Sequence, residues 1–108
     1  MMVYAIADIK ITDDSWLPAY AANVHNIVEK HGGKYLSRTD KITTVEGQGL
    51  DTSIVALIQF PSMQALQNFA SDPEYDQYRD ARQAGSVTRL HILEGKDVAG
   101  TIPYLPKG

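Results

Sequence analysis

Val3-Tyr4-Ala5-Ile6-Ala7-Asp8-Ile9 is apolar at nearly every position instead of alternating. Successive side chains of a strand point to opposite faces, so a strand with one wet face alternates and one covered on both faces does not. The segment therefore reads as a central strand. Thr52 to Phe60 carries the strongest strand signal in the chain, and within it Ile54-Val55-Ala56-Leu57-Ile58 is again apolar on both sides.

Between these strands lies a helix. Thr12-Asp13-Asp14-Ser15 offers N-cap side chains and early negative charge, and Leu17, Tyr20, Ala21, Val24, Ile27, Val28 and His31 follow at steps of three and four as one buried stripe. Pro18 fits only near a first turn, so the regular helix is expected from Leu17, with Asp13 to Trp16 as a looser lead-in. Gly32-Gly33 supplies the left-handed residue that ends it. Lys34 to Arg38 and Lys41 to Glu46 read as short extended segments, and Gly47-Gln48-Gly49 turns the chain into the Thr52–Phe60 strand to complete a hairpin. Pro61-Ser62 opens a second helical region through about Ala70. Asp72-Pro73 interrupts it, Glu74 to Ala84 resumes it, and Gly85 stops it. Val87 to Leu93 is the last strand. The order strand, helix, strand, strand, helix, strand predicts an α+β fold, a ferredoxin-like βαββαβ sandwich whose antiparallel sheet carries two helices on one face.

Helices on one face leave the other face of two apolar strands uncovered. A second copy packing sheet against sheet would cover it, so the expected state is a homodimer, a dimeric α/β barrel with a cavity between the subunits. Composition agrees: 108 residues allow one domain, and the absence of cysteine leaves no disulfide or thiolate zinc site to stabilise a small core. Ten Lys and Arg against thirteen Asp and Glu, with no basic run, argue against nucleic acid. Ile54 to Ile58 is the longest aliphatic run, too short to span a bilayer, and no signal segment precedes Val3, so a cytoplasmic protein is expected. The domain is expected over residues 1–98. Residues 99–108, with Pro103 and Pro106 flanking Tyr104-Leu105, form an extended tail that is either solvated or laid across the partner.

Several phrases occur together in order: Thr12-Asp13 with Tyr20, His31-Gly32-Gly33-Lys34-Tyr35-Leu36-Ser37-Arg38, Glu46-Gly47, Phe60-Pro61-Ser62, Asp72-Pro73-Glu74-Tyr75 with Arg82, and Leu93-Glu94-Gly95. From Val3 to Gly95 the chain resembles domain of unknown function (DUF) family 1330. The resemblance implies the dimeric α/β-barrel superfamily, whose members include cofactor-free monooxygenases, muconolactone-type isomerases and haem-handling enzymes. Asp14 stands where the family often has proline, and the tail after Gly95 departs from its pattern.

Two residues are candidate proton-transfer groups. His31, beside a glycine turn, is either a general base or a helix cap satisfying carbonyls. Asp8 is an acid in an apolar strand; aimed into a cavity it would have a raised pKa, and at a solvated rim it would not. Six residues are candidate ligand contacts. Tyr35 and Arg38 come from the phrase shared with the family. Tyr75 and Arg82 fall on one helical face with Tyr78, where they either close over an aromatic or anionic ligand or simply pack. Arg89 and His91 share the strand face opposite Leu90 and Ile92, as ligand contacts or as a salt-bridged dimer contact. His25 and Glu29 are four apart without a third ligand, so no metal is expected, and no cofactor either. Three functions fit: a cofactor-independent isomerase or monooxygenase acting on a carbonyl or aromatic metabolite, a non-catalytic small-molecule-binding dimer, and a haem binder, which needs an axial histidine facing the cavity.

Overall fold

β1 (Val3–Ile11) runs through the middle of a four-stranded antiparallel sheet in the computed structural model, which describes residues 1–108. The strand order is β2 (Lys34–Thr39), β3 (Ile54–Phe60), β1 and β4 (Ser86–Glu94). One face carries α1 (Leu17–Lys30), α2 (Met63–Ala70) and α3 (Pro73–Ala84). This is the ferredoxin-like α+β arrangement, with the second helical region broken in two at Asp72-Pro73.

Val3, Ala5, Ala7 and Ile9 are buried against the helices with Ala56, Ile58 and Phe60 of β3. The intervening Tyr4, Ile6 and Asp8, and Val55, Leu57 and Gln59 opposite them, are half-buried on the other face. Phe60, Val24 and Val28 are the largest fully buried side chains, and each contributes about 1.5–3 kcal/mol by leaving water. The thinnest dimension of the molecule is 18 Å, the depth of one sheet and one helix layer. Nothing lies over the second face of the sheet.

Local chemistry sets the element ends. Ser62 Oγ accepts from Ala65 N at 3.0 Å and Asp72 Oδ1 accepts from Glu74 N at 2.9 Å, which caps α2 and α3. α1 starts at Leu17 as the sequence suggests, but none of Thr12 to Ser15 caps it: its N-cap is Trp16, with no side-chain cap bond. Asp13 Oδ1 instead accepts from Ser15 N at 2.9 Å, holding the lead-in as a turn. Trp16 anchors that lead-in: its buried indole donates to Gly85 O at 3.2 Å, and the same carbonyl accepts from Thr12 N and Asp13 N. Gly32 closes α1 in the left-handed conformation, with φ +78°.

Lys41 to Glu46 is not a strand. Residues 40–53 form an irregular, largely exposed connection between β2 and β3 that pairs with neither free edge of the sheet. The hairpin nevertheless forms through Lys34–Thr39, whose register against β3 shifts between Tyr35 and Ser37. β4 ends at Glu94, after which Gly95 N donates to Met2 O. The last residues turn on themselves, with Gly100 N donating to Leu105 O at 2.7 Å, and Tyr104 is exposed. No helix is long and apolar enough to cross a membrane.

Candidate functional site

Alanine occupies three central positions on the helix side of the sheet: Ala5, Ala7 and Ala56. A valine or isoleucine at each would reach the helices; alanine leaves a gap between the layers, and the gap is the cavity of this molecule. It consists of two chambers. The one on the β4 side has a volume of about 170 Å³ and is floored by Ala5 and Ala7. The one on the β2 side has a volume of about 140 Å³ and is floored by Ala7 and Ala56. Tyr20 of α1 and Tyr35 of β2 wall both chambers and divide them.

The β4 chamber is mostly apolar, and its polar groups cluster at one end. Arg82 of α3 is 6% exposed, and its Nη2 donates to Tyr75 Oη at 3.3 Å. A guanidinium only donates, so Tyr75 accepts from it; Tyr75 Oη also lies 3.4 Å from Tyr20 Oη, where either hydroxyl can be the donor. No carboxylate meets Arg82; of the carboxylates of its own helix, Asp76 and Asp80 pair with Arg79 and Glu74 with Lys30. Burial, and after it the neighbouring Tyr75, pushes the Tyr20 phenol well above its ordinary pKa. Burial likewise raises Tyr35, against the opposing charge of Arg38. Both phenols are therefore neutral donors at physiological pH. Beside Arg82 a polar mouth of about 290 Å³ opens past Gln83, Ser86 and Thr88.

The β2 chamber owes its shape to the irregularity in β2. With Leu36 as the extra residue, Tyr35 pairs with Ile58 and Arg38 with Ala56, so both side chains turn to the helix side. Arg38 lies over the Tyr35 ring at 3.9 Å and makes no ion pair. His25 Nδ1 lies 3.2 Å from Ala21 O, which can only accept, so that nitrogen is the donor of the contact.

Of the residues singled out in the sequence, Tyr35, Arg38, Tyr75, Arg82 and His25 line this cavity, and His31, Asp8, Arg89, His91 and Glu29 do not. His31 is the C-cap residue of α1, but its ring does not satisfy carbonyls: Nε2 pairs with Asp72 Oδ2 at 2.7 Å. Asp8, Arg89 and His91 occupy the open face of the sheet. Asp8 lies directly opposite Arg89 and forms an ion pair with it, so that salt bridge is made within one chain. Its carboxyl is held below its ordinary pKa, chiefly by the Thr52 hydroxyl and, against partial burial, by Arg89, the reverse of the rise expected of a cavity acid. Tyr78 packs against the core. Sequence reasoning did not assign Tyr20 or the alanine floor to a site; three alanines on two strands otherwise rich in branched residues were the available signal. No group of three or more His, Cys, Asp or Glu side chains is arranged to hold a metal ion.

Fold and cavity together define a ferredoxin-like α+β domain with a largely apolar, arginine-tipped pocket between its layers. Residues 2–96 match the model of the domain of unknown function DUF1330, and the chain belongs to that family. Among solved structures it is similar to the RPA0582 protein of unknown function from Rhodopseudomonas palustris, at 18% identity and a TM-score of 0.74 over 89% of this chain and 83% of that one. It is also similar to SnoaB, a cofactor-independent oxygenase from Streptomyces nogalater, at 12% identity and a TM-score of 0.64 over 89% and 94%. A dimeric ferredoxin-like protein of unknown function from Jannaschia sp. CCS1 aligns at 12% identity and a TM-score of 0.62 over 87% and 99%. At these identities the likeness is one of fold. No curated protein matches the chain in sequence.

Proposed function

We propose that this protein binds a small, largely apolar carbonyl or aromatic metabolite between its helices and its sheet, with an anionic oxygen of the ligand on Arg82. The observation that carries the reading is a buried guanidinium without a carboxylate partner at the end of an apolar chamber. Buried charges are almost always paired, because desolvation costs several kcal/mol per ion. A carboxylate, enolate or phenolate arriving from the polar mouth would supply the missing partner through charge-assisted hydrogen bonds, with Tyr75 beside it as a second donor.

The same arrangement suits chemistry in which an enol or phenol loses its proton, since Arg82 would stabilise the resulting oxyanion. That is the electrostatic requirement of a cofactor-independent isomerase or oxygenase, and the fold likeness to SnoaB supports it. The β4 chamber holds no carboxylate or imidazole, so a proton acceptor would come from solvent or from the ligand. His31 and Asp8 play no part in this reading. Binding alone is the coarser alternative, and the same pocket serves both.

A second copy on the open sheet face completes the proposal. Ile6, Val55, Leu57 and Leu93 form its apolar centre, with Leu93 half exposed, and a dimeric relative of the same fold supports it.

The test is calorimetric titration with benzoate and 2-naphthoate against native protein and Arg82→Gln. Saturable binding that weakens at least tenfold in the variant is expected. Binding indifferent to the substitution, or none, would remove the anion site.

A further inference from the structure

Each chamber of the cavity is the size of a single ring. An engineered apolar cavity of about 150 Å³ holds one benzene molecule, and the chambers here measure about 170 and about 140 Å³. They are not independent spaces, for Ala7, Ile9, Tyr20, Tyr35 and Ile58 wall both. The partition is weakly held on the Tyr20 side: its hydroxyl contact with Tyr75 is 3.4 Å long, well beyond the roughly 2.7–2.8 Å of a good O–H···O bond. Tilting Tyr20, at the cost of its edge-on contact with the Trp16 ring at 5.2 Å, would join the chambers.

The polar groups sit at opposite ends of the joined space. Arg82, buried, marks the β4 end and Arg38, exposed at the rim, the β2 end, and neither has a carboxylate of this chain to pair with. Arg38 is held by the Tyr35 ring, a stacking contact that orients the guanidinium and leaves its in-plane N–H donors free for an oxygen. The β2 irregularity exists in the same place: without the extra residue Leu36, Arg38 would point to the other face of the sheet.

We infer that the ligand is ditopic, a flat two-ring molecule carrying an anionic oxygen group at each end, one taken by Arg82 and the other by Arg38. The inference rests on the proposed anion site at Arg82 and adds the second ring, the second charge and the role of Arg38. Two rings match the two chambers, the aromatic partition would become two stacking walls, and the alanine floor admits a planar body against the sheet.

Three probes separate the possibilities: benzoate, 2-naphthoate and naphthalene-2,6-dicarboxylate. Trp16 is the only tryptophan of the chain and walls the β2 chamber alone, so its indole N–H resonance reports occupation of that chamber. The dicarboxylate is expected to bind at least tenfold tighter than 2-naphthoate and to shift the Trp16 resonance, which benzoate leaves in place. Arg38→Gln should erase the dicarboxylate's advantage, and Ala56→Val, which fills only the β2 floor, should lower the ratio of dicarboxylate to benzoate affinity at least tenfold. Equal, Arg82-dependent binding of both naphthalenes with an unmoved Trp16 resonance would overturn the ditopic ligand while leaving the Arg82 site in place. No binding by any probe, or binding indifferent to Arg82→Gln, would overturn both.

Discussion

Ala7 of β1 lies directly opposite Ala56 of β3 on the helix side of the sheet, and the pair floors the β2 chamber of the cavity. Small residues at the centre of a sheet forgo burial: two valines in their place would each bury about two more methyl-sized groups, at about 0.8 kcal/mol each. The chain forgoes that stability and keeps a space.

Filling the space should therefore separate stability from binding. Ala7→Val is expected to leave the unliganded protein as stable as the native one or up to about 1.5 kcal/mol more stable, because it adds apolar atoms to a void rather than to a filled core. The same substitution should abolish the thermal shift that naphthoate produces. A variant that gains stability and still binds would show that the cavity floor is not where the ligand sits.

Gly85 is a position where even a methyl group does not fit. A β-carbon there would lie 2.6 Å from Trp16 Nε1 and 2.8 Å from the Asp13 carbonyl, one a packed indole and the other backbone. Gly85→Ala should cost about 2–3 kcal/mol in urea unfolding followed by Trp16 fluorescence. An effect under about 0.5 kcal/mol would mean that the lead-in to α1 shifts freely.

The two helix starts predict a contrast. Ser62→Ala removes a formed cap and should cost about 1 kcal/mol, whereas Ser15→Ala, at an α1 start with no side-chain cap, should stay within about 0.5 kcal/mol. Equal losses in chemical denaturation would contradict the observed capping.

Asp72 accepts from His31 Nε2, from Lys30 Nζ and from Glu74 N, and these contacts, His31 foremost, hold its carboxyl well below the usual carboxylate range. A folded-state pKa below the unfolded one means that the unfolded chain binds more protons as acid is added. The contribution is complete above the unfolded value of about 3.9 and disappears as pH falls toward the folded value. Asp72→Asn should thus be less stable than the native protein near neutral pH, with the gap in urea midpoints closing below about pH 4. Because asparagine caps a helix as well as aspartate, a gap independent of pH would show that the carboxylate charge of Asp72 contributes nothing.

The open face makes its own prediction. Ile6→Lys puts a charge at the centre of the proposed subunit contact, between Leu57 and His91. Sedimentation velocity should find the native chain dimeric and the variant monomeric at micromolar concentration, and a monomeric native chain would dismiss the second copy.

The pattern of apolar residues by itself determined the element order, the central place of β1 and the glycine and Asp-Pro breaks, because periodicity and backbone restriction are local properties of a chain. The 40–53 connection shows the limit of the same property: Ile42 and Val45 look strand-like locally, but a strand also needs a partner, and this segment pairs with neither edge strand, β2 or β4. His31 and Asp8 stood out as chemically capable residues in unusual settings, yet their partners, Asp72 and Arg89, are 41 and 81 positions away. The cavity was the least legible feature. It depends on three alanines from two strands lying side by side and on one extra residue in β2 that turns Arg38 to the helix side of the sheet, where it stays exposed at the rim. Which side chains share a space is decided by strand register and layer packing, quantities that exist only once distant segments have met.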